Sequence, residues 1–251
     1  MWLIIDLDGT LLNSKGQMEL CTESFLTKYQ NKHTVIFASA RPYRAVIHCL
    51  SLFQPDYVIA NNGANIYKNN EMIYNCTIPC ETVSELLNIF KKMDEIRTIT
   101  VETGTSILTS KDMDDWGEGW NNVFLKNLYD YNLPTPKLSV ESDNLSNTLH
   151  FLKSFPSLNV THHENEKWIQ IMNKNADKAN AIRFLAQRHN VPFSQTISFG
   201  DDNNDYKMLR LCGVGVAVKN ANEQLQSVAD YVCDSNDRNG VIKWIKENVL
   251  P

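Results

Sequence analysis

Four consecutive apolar residues near the start of the chain, Trp2-Leu3-Ile4-Ile5, run directly into a carboxylate, Asp6, and a polar turn, Asp8-Gly9-Thr10. An apolar run this short, ended by a turn, reads as a strand buried on both faces, the kind found in parallel sheets. The same punctuation recurs. Thr34 to Ala38 stops at Ser39-Ala40-Arg41, Tyr57 to Ala60 stops at Asn61-Asn62-Gly63, and Thr196 to Phe199 stops at Gly200-Asp201-Asp202-Asn203-Asn204-Asp205. Helical stretches alternate with these runs: Met18 to Gln30, one opened by Pro42 and reaching Leu52, and Lys178 to His189, with Ala179, Ile182, Phe184, Leu185 and Ala186 on one face. A short helix over Tyr206 to Leu211, a strand over Val214 to Val218, a helix over Ala221 to Val228, a strand over Tyr231 to Cys233 and a helix over Gly240 to Val249 close the chain. Strand alternating with helix predicts an α/β core on a parallel sheet with crossover helices.

The middle has a different rhythm. Helices over Thr82 to Met93 and Asn144 to Ser154 are interspersed with strands suited to antiparallel pairing: Thr98 to Glu102, Ile107 to Thr109, Lys137 to Val140, Asn159 to His163 and Trp168 to Met172. This predicts an α+β unit over residues 79–173 inserted into a core made of 1–78 and 174–251.

Composition narrows the function classes. Hydrophobic residues make up 43% and charged residues 21%, which suits a globular core. A formal net charge of -5 argues against a nucleic-acid partner, whose binders carry a basic excess. The apolar run at the N-terminus lacks a basic flank and is too short for a signal peptide or membrane span, so a cytoplasmic protein with reduced thiols and no membrane partner is expected. Cys76 and Cys80 flank Pro79 without a matching His/Cys pair, so they read as ordinary thiols rather than a zinc site. No GxGxxG follows the first strand and no GxxxxGK[ST] occurs, which argues against a nucleotide-binding dehydrogenase or kinase.

In an open parallel sheet, ligands bind beyond the carboxyl ends of the strands. There the sequence places Asp6 and Asp8, Ser39, Asn62, and Asp201 with Asp205. Converging carboxylates repel one another unless a cation sits among them, and a hard oxygen-seeking ion such as Mg2+ fits that need. With a metal present, one carboxylate can attack phosphorus while a second, two residues on, acts as acid and then base.

The segment IIDLDGTLL resembles the first motif of the haloacid dehalogenase superfamily in the DxDGT form of its phosphatases. FASAR resembles the second motif, Lys178 in NADKANAIRFLA falls at the third, and SFGDDNNDYKML resembles the fourth, GDxxND. NNGANIY and the tail VGVAVKNANEQLQSVADYVCDSNDRNGV are similar to the Cof-type subfamily, and the likeness covers about 150 core residues in order. It implies a Rossmann-like core with an α/β cap that sets specificity. It also implies Asp6 as nucleophile, Asp8 as general acid and base and carbonyl ligand, Asp6 and Asp201 as Mg2+ ligands, and Asp205 in support with Asn204 nearby. Ser39 and Lys178 would hold the phosphoryl oxygens. Ala40 and Ala179 stand where the subfamily has glycine, and neither removes a group the chemistry needs.

Several further residues carry two readings. Asn62 and Asn220 are turn residues or pocket lining; Arg41 and Arg44 bind a distal anion of the substrate or form surface ion pairs. Trp116 and Trp120, near Gly117 and Gly119, form a sugar-stacking lip or cap core. Asp202 reads as a helix N-cap, His162 and His163 as strand residues, and Asp112, Asp114, Asp115 and Glu118 as a solvated face. The leading expectation is a phosphatase for a small phosphorylated metabolite such as a sugar phosphate. A phosphomutase or phosphotransferase with the same chemistry is the alternative, and a non-enzymatic binding protein on this fold ranks last.

Overall fold

The computed structural model describes residues 1–50, 53–113, 119–162 and 167–249. Trp116, Gly117, Asp114, Asp115, Glu118 and His163 lie outside these described residues, as does the far end of the helix expected to reach Leu52. The chain divides into two compact units, Met1–Ile73 with the chain from Asp177 onward, and Tyr74–Ala176.

The first unit contains β1 (Trp2–Ile5), α1 (Leu20–Gln30), β2 (Thr34–Ala38), α2 (Tyr43–His48), β3 (Tyr57–Ala60), β4 (Asn65–Lys68) and β5 (Glu71–Asn75), the last of which runs into the second unit. The second contains α3 (Cys80–Phe90), β6 (Ile96–Glu102), β7 (Ile107–Thr109), β8 (Asn122–Phe124), β9 (Leu138–Ser142), α4 (Leu145–Leu152), β10 (Leu158–His162) and β11 (Trp168–Asn173). The chain then returns through α5 (Lys178–His189), β12 (Thr196–Gly200), α6 (Tyr206–Leu211), β13 (Val214–Val218), α7 (Glu223–Gln226), β14 (Tyr231–Cys233) and α8 (Gly240–Asn248).

The core sheet has the order β14-β13-β12-β1-β2-β3-β4-β5. Pairing is parallel from β14 through β3, and β4 joins β3 antiparallel. All four residues of β1 are buried, as an apolar run covered on both faces requires. Chain order reverses at β1: β2 lies on one side, whereas β12, which follows the insertion, lies on the other. A crevice at that reversal is where an open α/β sheet accepts ligands.

The second unit is a six-stranded sheet in the order β10-β11-β9-β6-β7-β8. Pairing is antiparallel except between β7 and β8. Ile99, Val101, Leu138, Val140, Ile169 and Ile171 form one buried apolar face. Val83, Leu86, Leu87 and Phe90 of α3 recur at helical spacing and join the same core. Burying each of these four stabilises the unit by about 1.5–3 kcal/mol. The opposite face follows from the register. Thr98 pairs with Glu141 and Thr100 with Ser139, while Ser139 pairs with Gln170, so hydroxyls, a carboxylate and an amide stand side by side. Among the described residues, no helix is long and apolar enough to cross a membrane.

Candidate active site

Asp6 continues β1 by one residue, and its amide donates to the Phe199 carbonyl of β12 at 3.1 Å. The chain then turns sharply through Leu7–Leu11, with Gly9 at φ 74°. A Cβ on Gly9 would meet Asp201 Oδ2 at 2.2 Å, so glycine is required both for the backbone angle and for the approach of that carboxylate. Thr10, in the same turn, donates its hydroxyl to Asp201 Oδ1 at 3.0 Å.

Asp201 follows β12, and Asp205 closes the short 3-10 turn Asn203–Asp205. Asp205 Oδ2 accepts from the amides of Asp201 at 3.1 Å and Asp202 at 3.4 Å. Asp202 caps this turn reciprocally with Asp205, in keeping with its reading as an N-cap.

Lys178 opens α5, where Asp177 is the N-cap and accepts from Asn180 N at 2.6 Å. A cation in the first turn of a helix opposes the macrodipole. Two carboxylates offset that cost: Lys178 Nζ donates to Asp6 Oδ1 at 2.6 Å and to Asp205 Oδ1 at 2.7 Å, and the Lys178 side chain is fully buried. Gly63 secures the helix start from the other side. It has φ 96°, and a Cβ there would fall 2.2 Å from the Asp177 carbonyl oxygen.

Carboxylate oxygens of Asp6, Asp201 and Asp205 all lie within 4.8 Å of one another. Among the described residues they are the one group of three or more His, Cys, Asp or Glu side chains so arranged. One ammonium faces three carboxyl groups, so full ionisation of the group would leave two negative charges uncompensated. The charge imbalance is visible in the ionisation of the group. Burial pushes the Asp6 carboxyl well up, with Asp205 and Asp201 adding to the push and Lys178 opposing it. Burial and then Asp205 push Asp201 up to about 6, against the Thr10 hydrogen bond. Lys178 is itself held above the usual ammonium range, because Asp205 and Asp6 outweigh its burial. An all-oxygen donor set that, fully ionised, has two uncompensated negative charges fits a hard divalent cation such as Mg2+.

The other sequence-singled residues fall as follows. Ser39 is fully buried at the end of β2, and its Oγ accepts from Arg41 N at 3.1 Å. Asn62 has φ 53°, and its Oδ1 accepts from Asn204 Nδ2 at 3.0 Å. Asn220 Nδ2 donates to the Gly9 carbonyl at 2.7 Å and its Oδ1 accepts from Asn236 N at 3.0 Å, so this side chain braces the turn after β1. Asp8 points its half-exposed carboxylate to Arg41, which grips both oxygens. Arg44 is half-buried in α2. Cys76 and Cys80 are half-buried, as is His162 of β10. Two positions with structural work in the site carried no role in the sequence reading: Thr10, although it stands inside the DxDGT run, and Asp177, whose place before a helical pattern is an N-cap signal.

A family model described as haloacid dehalogenase-like hydrolase matches residues 3–245. The chain belongs to this family. Haloacid dehalogenase-like hydrolases similar to it along nearly the whole length include Phosphatase YwpJ of Bacillus subtilis, 28% identical over 97% of this chain and 98% of the relative. Also similar is 5-amino-6-(5-phospho-D-ribitylamino)uracil phosphatase YitU of Bacillus subtilis, 24% identical over 98% of this chain and 96% of the relative. Among solved structures, a haloacid dehalogenase-like hydrolase from Bacteroides thetaiotaomicron superposes with a TM-score of 0.87 at 25% identity, covering 98% of both chains. The α/β class expected from strand–helix alternation is thus the observed one, and the chain is a hydrolase of phosphatase type.

Proposed function

We propose that this hydrolase cleaves a small phosphomonoester by passing the phosphoryl group first to Asp6 and then to water. The observation that carries the reading is the convergence of Asp6, Asp201 and Asp205 oxygens within 4.8 Å, with Lys178 bonded to two of them. Asp6, Asp201 and the main-chain carbonyl of Asp8 would hold Mg2+, with Asp205 supporting Lys178 and the loop amides. Bound there, the ion would supply positive charge that lowers the repulsion between an anionic nucleophile and an anionic phosphoryl group. The same charge favours the ionised form of Asp6, which burial alone disfavours.

The chain's own groups account for the remaining steps. An Asp6 oxygen attacks phosphorus in line while the ester P–O bond breaks, and Asp8 gives its proton to the departing alkoxide oxygen. Lys178, with the Ser39 hydroxyl, holds phosphoryl oxygens as charge develops. Asp8, now a carboxylate, then takes a proton from water as that water attacks the aspartyl-phosphate, which releases inorganic phosphate and restores Asp6. Substrate selection falls to the inserted α+β unit, Tyr74–Ala176. A relative named for a phosphorylated ribityl compound supports a small phosphorylated polyol or sugar as the substrate class.

The test is Asp6→Asn, assayed for release of free phosphate from an aryl phosphate with Mg2+ and with EDTA. Loss of turnover in a variant that keeps a native circular dichroism spectrum is expected. Wild-type turnover would overturn the nucleophile assignment, and phosphate transfer between sugar positions without release would convert the reading to a mutase.

A further inference from the structure

We propose that Arg41 is a positioning residue for Asp8: its guanidinium fixes the carboxyl group that protonates the leaving oxygen, rather than binding a distal anion of the substrate. The inference rests on the reading of Asp8 as the general acid. Arg41 Nε donates to Asp8 Oδ2 at 2.8 Å and Nη2 donates to Asp8 Oδ1 at 2.5 Å, a fork-to-fork pair. The two partners differ in exposure. The Asp8 side chain is 51% exposed, whereas that of Arg41 is 18% exposed, so the cation is the protein-anchored member and the carboxylate is the one being held.

The anchoring is built into the loop after β2. Arg41 Nη1 donates to Cys49 Sγ at 2.7 Å, and Cys49 in turn bonds the Ala45 carbonyl of α2 at 3.0 Å. The Arg41 amide donates to Ser39 Oγ at 3.1 Å, and its carbonyl accepts from Asn61 N at 2.9 Å. Backbone and side chain of Arg41 are thus tied to the ends of β2 and β3 and to α2. Asp8, by contrast, is a half-exposed residue in a turn next to a glycine, with little else on its side chain to select one rotamer. A bidentate planar cation selects one orientation in a way that a point charge cannot. The clasped form is the carboxylate, so one bond must open for the acid step: the freed oxygen takes up the proton and carries it to the leaving oxygen, while the second bond keeps the group aimed.

Aim matters in proportion to how much the leaving group needs a proton. Alkoxides of ordinary alcohols need one, whereas the anion of an acidic phenol leaves without help. The parameter kcat/KM reports the first phosphoryl transfer and is blind to the later water step. The experiment therefore measures kcat/KM for a graded series of phosphomonoesters, from nitrophenyl to simple alkyl esters, with Arg41→Ala, Arg41→Lys and Asp8→Asn. Arg41→Ala should lose roughly 10²-fold on alkyl esters and little on nitrophenyl phosphate. Arg41→Lys should fall between, and added guanidinium should restore part of the Arg41→Ala loss.

A loss equal across the series, or a KM increase confined to substrates with a second anionic group, would overturn the proposal in favour of direct substrate binding. If Asp8→Asn steepens the leaving-group dependence while Arg41→Ala leaves it flat, the inference about Arg41 fails alone. If Asp8→Asn leaves it flat, the acid assignment beneath it fails.

Discussion

Replacing Lys178 by Met keeps the length of the side chain and removes the one ammonium from a group of three carboxylates. Lys178 Nζ sits 2.6 Å from Asp6 Oδ1 and 2.7 Å from Asp205 Oδ1, and the lysine side chain is fully buried. Asp205 is fully buried too, and the Asp6 side chain is 6% exposed, so water cannot take over the lost bonds. Removing one partner from a buried ion pair costs about 3–5 kcal/mol, because the remaining charge is left desolvated. The metal-free variant at neutral pH should be destabilised by that amount, measured by urea unfolding in EDTA and followed through tryptophan fluorescence. Magnesium should narrow the gap. The variant site carries one more uncompensated negative charge than the wild type, and saturation of a cation site at about a hundred times its Kd stabilises by about 2.7 kcal/mol. Activity should fall by about 10²–10³-fold, as for loss of one preorganised donor to the transferring group. A destabilisation below about 1 kcal/mol in EDTA, or a gap indifferent to Mg2+, would refute the view that this lysine balances a cation-binding carboxylate group.

Three further outcomes follow from the same geometry. Gly9→Ala should lose most activity and weaken Mg2+ binding with a smaller loss of stability, because its Cβ would fall 2.2 Å from Asp201 Oδ2 at a φ of 74°; the left-handed angle alone costs about 1–2 kcal/mol, and calorimetric Mg2+ titration reads the rest. Mg2+ affinity should drop by about tenfold per pH unit below about 6, where Asp201 takes up a proton. For metal-free stability the sign is opposite. The folded-state Asp201 is raised to about 6 from an ordinary 3.8, so the native state binds more protons between those values. Stability of the EDTA-treated protein therefore falls as pH rises from 4 to 6, and a denaturation series across that range checks it.

The parts of the fold legible in the sequence are those where burial leaves a strong signature. β1, β2, β3 and β13 run over the residues that their apolar runs indicate, since parallel strands covered on both faces admit few polar side chains. The full length of α5 was equally readable from its apolar face. By contrast β4, β5 and β8 gave no signal. Asn65–Lys68 and Glu71–Asn75 extend the core sheet at its edge and carry polar or exposed residues, while β8 is three residues long. The helix expected over Ala221 to Val228 is cut to Glu223–Gln226 because Asn222 caps it late, accepting from Leu225 N at 2.8 Å. Pro42, expected inside the first turn of α2, instead sits at its N-cap with extended ψ.

The site was legible to the extent that it depends on residue type at strand ends. Asp6, Asp201, Asp205 and Lys178 were all named from the sequence, and they converge. Contacts between loops were not legible. The grip of Arg41 on Asp8 and the bond from Thr10 to Asp201 join positions 33 and 191 residues apart, and only the path of the turns decides them. The same holds for Asn220, whose amide braces the Gly9 carbonyl.

The central claim is that Asp6 carries the phosphoryl group during turnover. Quenching the enzyme during hydrolysis of a phosphomonoester, reducing with borohydride and mapping peptides by mass spectrometry tests it directly, because an aspartyl-phosphate is reduced to homoserine. The account predicts homoserine at position 6 and nowhere else, absent when substrate is omitted. Homoserine at another aspartate, or none while single-turnover phosphate release proceeds in Mg2+, would contradict it.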